Sequence, residues 1–288
     1  MMRKVFLFFI MFFIIPLNIF AHQDQLIISD NDVNETIIRD HFSLHYTNNL
    51  FIDHRKLQLL LDRIDEQIYK KAVNAILDEH GQIVPAIPGL KLDREKFVHL
   101  FYQFFYSNVS YEVKIPKREF FPRVDSELLA DIKTKKLGSF ITYYRESNKE
   151  RSHNILLATK AINNHVVFPG ERFSFNKVVG KRTKEKGYMR APVIVKGELA
   201  EDIGGGICQV SSTLFNAVNL KGIDIVERYS HSRKVPYVPS GKDATVSWWG
   251  PDFVFVNNYN HPILIRASSK NGRMIVQIYS SEFAELKK

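Results

Sequence analysis

Between positions 57 and 77, apolar residues recur at three- and four-residue steps: Leu57, Leu60, Leu61, Ile64, Ile68, Ala72, Val73, Ile76 and Leu77. That spacing puts them on one face and predicts an amphipathic helix, which Gly81 ends with His80 in the last turn. A Pro/Gly-rich connection, IVPAIPGLKLD, follows. Asp93 then stands where a side chain caps a second helix, REKFVHLFYQFFY. Its Phe97, Phe101, Tyr102, Phe104 and Phe105 could form a ligand-stacking surface, but their helical spacing reads as core packing. The period falls to two in VSYEVKI (109–115), a strand with Val109, Tyr111, Val113 and Ile115 on one face. PKREFFPRVDSE reads as a turn-rich linker.

A second region runs from about 136 to 280. HNILLATKAINN reads as a helix, and ERFSFNKVVG and APVIVKGELA have strand-like content. After Gly204-Gly205-Gly206 comes a helix with Val210, Leu214 and Ala217 on one stripe, which Lys221-Gly222 ends. IDIVERYSHS, ATVSWW, DFVFVNN, PILIRASS and RMIVQIY read as successive strands. The last two meet at Lys270-Asn271-Gly272, and Asn-Gly between apolar runs signals a hairpin. The fold class is therefore α+β: a small, mainly helical N-terminal domain, then a strand-rich domain with a cysteine-bearing helix. The divisions are a signal peptide or anchor at 1–21 and a polar, mobile lead-in at 22–40. A first domain at 41–124, a linker at 125–136, the second domain at 137–280 and a tail at 281–288 complete them.

Composition adds two constraints. The 288 residues are 45% hydrophobic and 25% charged, ordinary for globular chains of one large or two modest domains. The net charge of +9 would suit nucleic acid, anionic lipid or an anionic cell wall. Mixed signs, and the lack of a basic run with interleaved aromatics, argue against nucleic acid. The N-terminus reads MMRKVFLFFIMFFIIPLNIFAHQDQ. Arg3 and Lys4 precede an apolar run from Val5 to Leu17, broken by Pro16 and Asn18, and Ala21 stands at a plausible cleavage point. This is the form of a secretory signal. The run is short for a membrane span, which needs about 20 residues. Ile19 is not the small residue of an A-x-A site, so an uncleaved membrane anchor is the alternative. Either way the chain is expected outside the cytoplasmic membrane, at its outer face or in the wall.

Cys208 is the single cysteine. An exported chain uses cysteines mostly as disulfides, and a lone one cannot pair within the chain. It is then either a small buried hydrophobe or a free reactive thiol. Its position at a helix start favours the thiolate, because unpaired N–H groups there lower a thiol's pKa. Gly205 and Gly206 let a substrate backbone approach, and the N–H groups of Cys208 and Gln209 could form an oxyanion hole. A nucleophile of this kind needs a base. His231 lies 231 − 208 = 23 positions later. A helix of about 12 residues climbs roughly 18 Å, and a strand of about five or six residues returns it. Asp243 could orient the imidazole, with Asp252 as the alternative. One cysteine and scattered histidines lack the paired spacing of a zinc site, so no metal is expected. GGGICQ has no GK[ST] ending and no G-x-S-x-G elbow is present, so no cofactor is implied.

Three stretches carry a resemblance: HNILLATKAINNHVVFPGERFSFNKVVG, APVIVKGELAEDIGGGICQVSSTLFNA and HSRKVPYVPSGKDATVSWWGPDFVFVNNYNHPILI. Together they resemble the VanW family over about 137–280. Region 41–124 more loosely resembles the peptidoglycan-binding domain that often precedes VanW domains. The resemblance implies an envelope protein, and in some members an L,D-transpeptidase that uses cysteine on peptidoglycan. Carried over, the nucleophile is Cys208. The stretch HS-x-x-V-x-Y-V-P-x-G-x-DA places His231 and Asp243. Cysteine helix, strand and histidine also follow in the order of the transglutaminase-like fold, an analogy of order only. Trp248-Trp249 is bulkier than the family pattern and would narrow the site. The alternatives are a non-catalytic wall-binding module, with Cys208 in the core, and a cysteine amidase or peptidase that passes the acyl group to water.

Overall fold

The computed structural model describes residues 24–30, 33–47, 49–107, 109–195 and 198–287. The signal or anchor expected over 1–21 lies outside the described residues. The chain begins with β1 (Gln25–Asp30), β2 (Val33–Ile38), α1 (His54–Ile68), β3 (Ile76–Leu77) and β4 (Ile83–Val84). Next come β5 (Gly89–Leu92), α2 (Arg94–Ser107), β6 (Tyr111–Lys114), β7 (Lys117–Phe120), α3 (Ser126–Ile132) and β8 (Lys135–Tyr143). Then follow α4 (Lys149–Ile162), β9 (His165–Val167), β10 (Arg172–Ser174), α5 (Phe175–Val179), β11 (Arg190–Val195) and β12 (Glu198–Ile203). The last are α6 (Ile207–Ala217), β13 (Ile223–Glu227), β14 (Val254–Asn257), β15 (Ile263–Lys270) and β16 (Arg273–Ser280).

The chain forms two compact units, divided otherwise than at one linker. The first takes the described residues up to Lys71 together with Gly89–Phe120. In it β1 pairs antiparallel with β2 and parallel with β6. The lead-in, expected to be mobile, thus carries two strands. Leu26, Ile28 and Ile37 are buried in one core with Leu57, Leu60, Leu61, Ile64 and Ile68 of α1. The aromatics of α2 join that core: Phe97, Phe101, Phe104 and Phe105 are essentially fully buried. Asp53 opens α1 by accepting from the N–H groups of Arg55 and Lys56. Asp93 opens α2 by accepting from the N–H of Lys96.

The helix expected over 57–77 stops at Ile68. The later members of its apolar stripe leave the helical conformation because cross-chain backbone pairing takes them. Lys70 bridges to Leu90, Val73 to Ile87, and Ile76–Leu77 pairs with Ile83–Val84. Periodicity cannot separate a helix face from such a run when the pairing partner lies elsewhere in the chain.

The second unit takes Ala72–Pro88 and the chain from Phe121 onward. Its centre is an antiparallel sheet in the order β8-β16-β15-β9, with α4 and α6 packed against it. A second sheet runs β10-β14-β13. Ile155, Val210, Leu214, Phe173, Phe253, Phe255, Ile265, Val276 and Ile278 fill the space between these elements. The Asn271-Gly272 turn joins β15 and β16 with φ of 52° and 67°, the left-handed pair of the expected hairpin. β8 occupies a stretch without a strand signal. Gly138 sits within it because the Ala217 carbonyl would lie 2.4 Å from any Cβ there. The stretch read as a linker holds α3, and ERFSFNKVVG divides into β10 and the short α5. ATVSWW forms no strand; only Thr245 bridges, to Tyr229. The overall class is α+β, as the patterning predicts.

Candidate active site

The β11–β12 hairpin delivers Gly204-Gly205-Gly206 to the start of α6. Gly204 and Gly206 have φ of +89° and +104°, a region costly for residues with a Cβ. Packing adds a second reason for glycine. A Cβ on Gly205 would lie 2.5 Å from the Ala191 carbonyl oxygen, and one on Gly206 would lie 2.9 Å from Cγ of Arg151. The loop is also tied from behind: Asn154, fully buried on α4, donates through Nδ2 to the carbonyls of Gly205 (3.0 Å) and Met189 (2.9 Å). α6 then starts at Ile207 and puts Cys208 in its first turn.

Among the described residues no carbonyl takes the N–H of Cys208, which is free to face a developing oxyanion. Gln209 does not share that role. Its N–H donates to the Gly206 carbonyl at 3.0 Å. Its side chain turns inward, donating to Thr142 Oγ1 and the Tyr143 carbonyl and accepting from Arg151. The expected contribution of Gln209 to the oxyanion loop is therefore corrected to one of anchorage.

β13 runs back from the end of α6, and the chain beyond it brings His231 to the cysteine. His231 Nδ1 lies 2.7 Å from Asp243 Oδ2, and the same oxygen accepts the backbone N–H of His231 at 2.6 Å. A carboxylate acceptor assigns the proton to Nδ1 and leaves Nε2 as the imidazole nitrogen that can act on the Cys208 thiol. Both side chains of the His231–Asp243 pair are buried. The Asp243 loop is itself fixed: Arg228 donates to the carbonyls of Asp243 (2.7 Å) and Gly241 (2.9 Å). Asp252 is not the orienter. It accepts from Ser174 Oγ and from the N–H groups of Asn176 and Phe253, at the start of α5.

Burial alone would raise the Cys208 thiol. The hydrogen bond and charge of His231, with the Val246 N–H 3.5 Å from Sγ, outweigh it and hold the thiol below its ordinary value. Burial would likewise lower His231, but the hydrogen bonds with Cys208 and Asp243 raise it. Asp243, which burial would raise, is held low by the two bonds from His231. Each shift favours the charged form of its group. Tyr237 sets its ring edge-on to His231, centroids 6.5 Å apart, and burial pushes its phenol far above the usual range.

The thiol opens into a cavity of about 940 Å³, lined in part by Arg151, Arg182, Tyr237, Trp248 and Trp249. Reasoning from the sequence alone passes over Arg151, Asn154, Arg182 and Tyr237. Arginines and asparagines of this kind are indistinguishable from surface residues until the fold buries them. Only Tyr237 carried a signal, since it falls inside the stretch that connects His231 and Asp243. Among the described residues no group of three or more His, Cys, Asp or Glu side chains is placed to hold a metal ion.

Residues 150–279 match the family model described as "VanW like protein". The chain is 54% identical over 247 residues to YoaR of Bacillus subtilis, an uncharacterized protein, covering 86% of this chain and 82% of that one. It is 29% identical over 134 residues to the vancomycin B-type resistance protein VanW of Enterococcus faecalis, covering 45% of this chain and 49% of that protein. No solved structure matches it.

Proposed function

The chain belongs to the VanW family, and from that premise we propose that it is a cell-envelope cysteine acyltransferase of the L,D-transpeptidase type. The carrying observation is the Cys208–His231–Asp243 arrangement at a glycine-led helix start. Its substrate is the stem peptide of peptidoglycan. Cys208 thiolate attacks the carbonyl of the third stem residue, forming the C–S bond. The oxyanion faces the N–H of Cys208. The tetrahedral intermediate collapses, the C–N bond to the terminal D-Ala breaks, and His231 Nε2 gives its proton to the departing amine. A side-chain amine of a neighbouring stem then attacks the thioester, returns its proton to His231 and frees the thiolate. Asp243 holds the imidazole in one tautomer throughout.

Three further features support the reading. The net charge of +9 suits an anionic wall. The first unit takes residues 41–71 and 89–120 of the region that loosely resembles peptidoglycan-binding domains, and would hold the glycan or peptide. The N-terminal 21 residues have the form of an export signal.

The test is to incubate the purified protein with a disaccharide-tetrapeptide and analyse the products by mass spectrometry. The expected outcome is D-Ala release with 3-3 cross-linked dimers, both lost in Cys208→Ala. Dimers formed equally by Cys208→Ala would overturn the reading, as would a wild-type protein inert towards the substrate. D-Ala release without dimers would replace transfer by hydrolysis.

A further inference from the structure

Among the described residues the cavity is lined by four cations, Arg145, Arg151, Lys181 and Arg182, and by one carboxylate. Arg182 follows α5 and lays its stem on the backbone of Gly204, where a glycine Cβ would come within 3.3 Å of Cβ and Cγ of the arginine. Its guanidinium carbon lies 5.8 Å from the centre of the Phe175 ring. Both Nη atoms are withdrawn from solvent, and neither has a hydrogen-bond partner among the described residues. Arg151 is also largely buried, and among the described residues its Nη2 donates to the neutral Oε1 of Gln209, at 2.8 Å. Arg145 and Lys181 line the same cavity. Among the described residues that line it the one carboxylate is Asp202, which is exposed and whose Oδ1 accepts the adjacent N–H of Ile203 at 2.7 Å.

A guanidinium cannot shed its charge on burial, so an unpaired one is costly unless an anion arrives. The Cys208 thiolate offers part of that attraction to both arginines, and the Asp252 carboxylate adds a smaller part to Arg182 without reaching its Nη atoms by a hydrogen bond. One sulfur already bonded to His231 and the Val246 N–H cannot also match two parallel N–H groups. The planar fork of arginine fits a carboxylate, which takes both.

We propose that Arg182 is the specificity-determining residue of this site, taking the free carboxylate of the residue next to the attacked carbonyl. The inference rests on the reading of Cys208 as nucleophile and deepens it. It makes the acyl donor a peptide whose scissile bond joins its last, carboxylate-bearing residue. Chain ends are then substrates and interior bonds are not.

Two alkylating probes differing in one group test it: N-iodoacetyl-D-alanine and N-iodoacetyl-D-alaninamide. In each, the thiolate forms a C–S bond and iodide leaves with its electron pair. Cys208 is the only cysteine, so intact mass reads one site in the full chain. The carboxylate probe is expected to react about tenfold faster than the amide, relative to the same ratio for free cysteine, as one charge-assisted hydrogen bond would provide. Arg182→Gln should collapse that ratio, and Arg182→Lys should keep part of it. In the wild type, the carboxylate probe's rate should saturate and acetate should slow it; this arm needs no variant to fold. A wild-type ratio equal to that of free cysteine, a ratio that survives Arg182→Gln, or a linear rate indifferent to acetate would each overturn the proposal. If the amide probe reacts no faster than with an ordinary thiol at neutral pH, the nucleophile reading itself falls, and this inference with it.

Discussion

Left to burial, the Cys208 thiol would stay protonated; His231 and the Val246 N–H reverse that. Lowering the thiol and raising the imidazole both shift the pair towards thiolate and imidazolium. Iodoacetamide should therefore alkylate the wild type with a half-rate pH below the ordinary thiol pKa of about 8.5. Asp243→Asn removes the carboxylate that supports the imidazolium. The half-rate pH should rise by about one unit, since a hydrogen bond to a charged group and one pKa unit are of similar size. An unmoved profile would separate Asp243 from the site's electrostatics. The same shifts have signs for stability. Asp243, lowered, contributes above its ordinary value of 3.8, and that contribution is lost as pH falls through its folded value. His231, raised, contributes below its ordinary 6.5, and that contribution is lost as pH climbs through its folded value.

The three-glycine loop is an element held by backbone on both sides. Gly205→Ala would press a methyl group against the Ala191 carbonyl, which cannot swing aside as a side chain can. A cost of about 1–3 kcal/mol is expected. Both tryptophans of the chain, Trp248 and Trp249, lie in the second unit, so a urea transition followed by their fluorescence measures it there. A midpoint equal to wild type would mean that the loop is not packed as described. This loop was legible in the sequence because glycines before an apolar stripe state a helix start locally. So were the Asn-Gly hairpin and the Asp93-capped helix. Patterning carries α1 past Ile68 and passes over β8, because partners distant in sequence decide both. Cys208, His231 and Asp243 could be singled out by residue type and by the climb of a helix and return of a strand. Arg182 could not, since a lone arginine shows its lack of a partner only once folded around.

On the scale of the whole molecule, residues 72–88 are spelled inside the first unit and folded into the second. Leu77 is buried with Leu129, Ile132 and Leu264. Leu77→Ala should cost the second unit about 2–3 kcal/mol. Hydrogen exchange would show it as lost protection in β15 and α6 with α1 and α2 unchanged. Equal loss in both units would mean that they unfold as one.

Arg266 donates to the carbonyls of Leu77 and Asp78, the former 189 positions earlier in the chain. Leu77 therefore meets that arginine only after 189 further positions of the chain have become available. The bridge between Lys70 and Leu90 can form long before then, since everything in the first unit has emerged by Phe120. Once that bridge has formed, residues 72–88 are a loop closed at its base. Much of the entropy of bringing its ends together is settled before its partners exist. Closing the base of this segment is thus a step that residues of the first unit can complete before the second unit has all its strands.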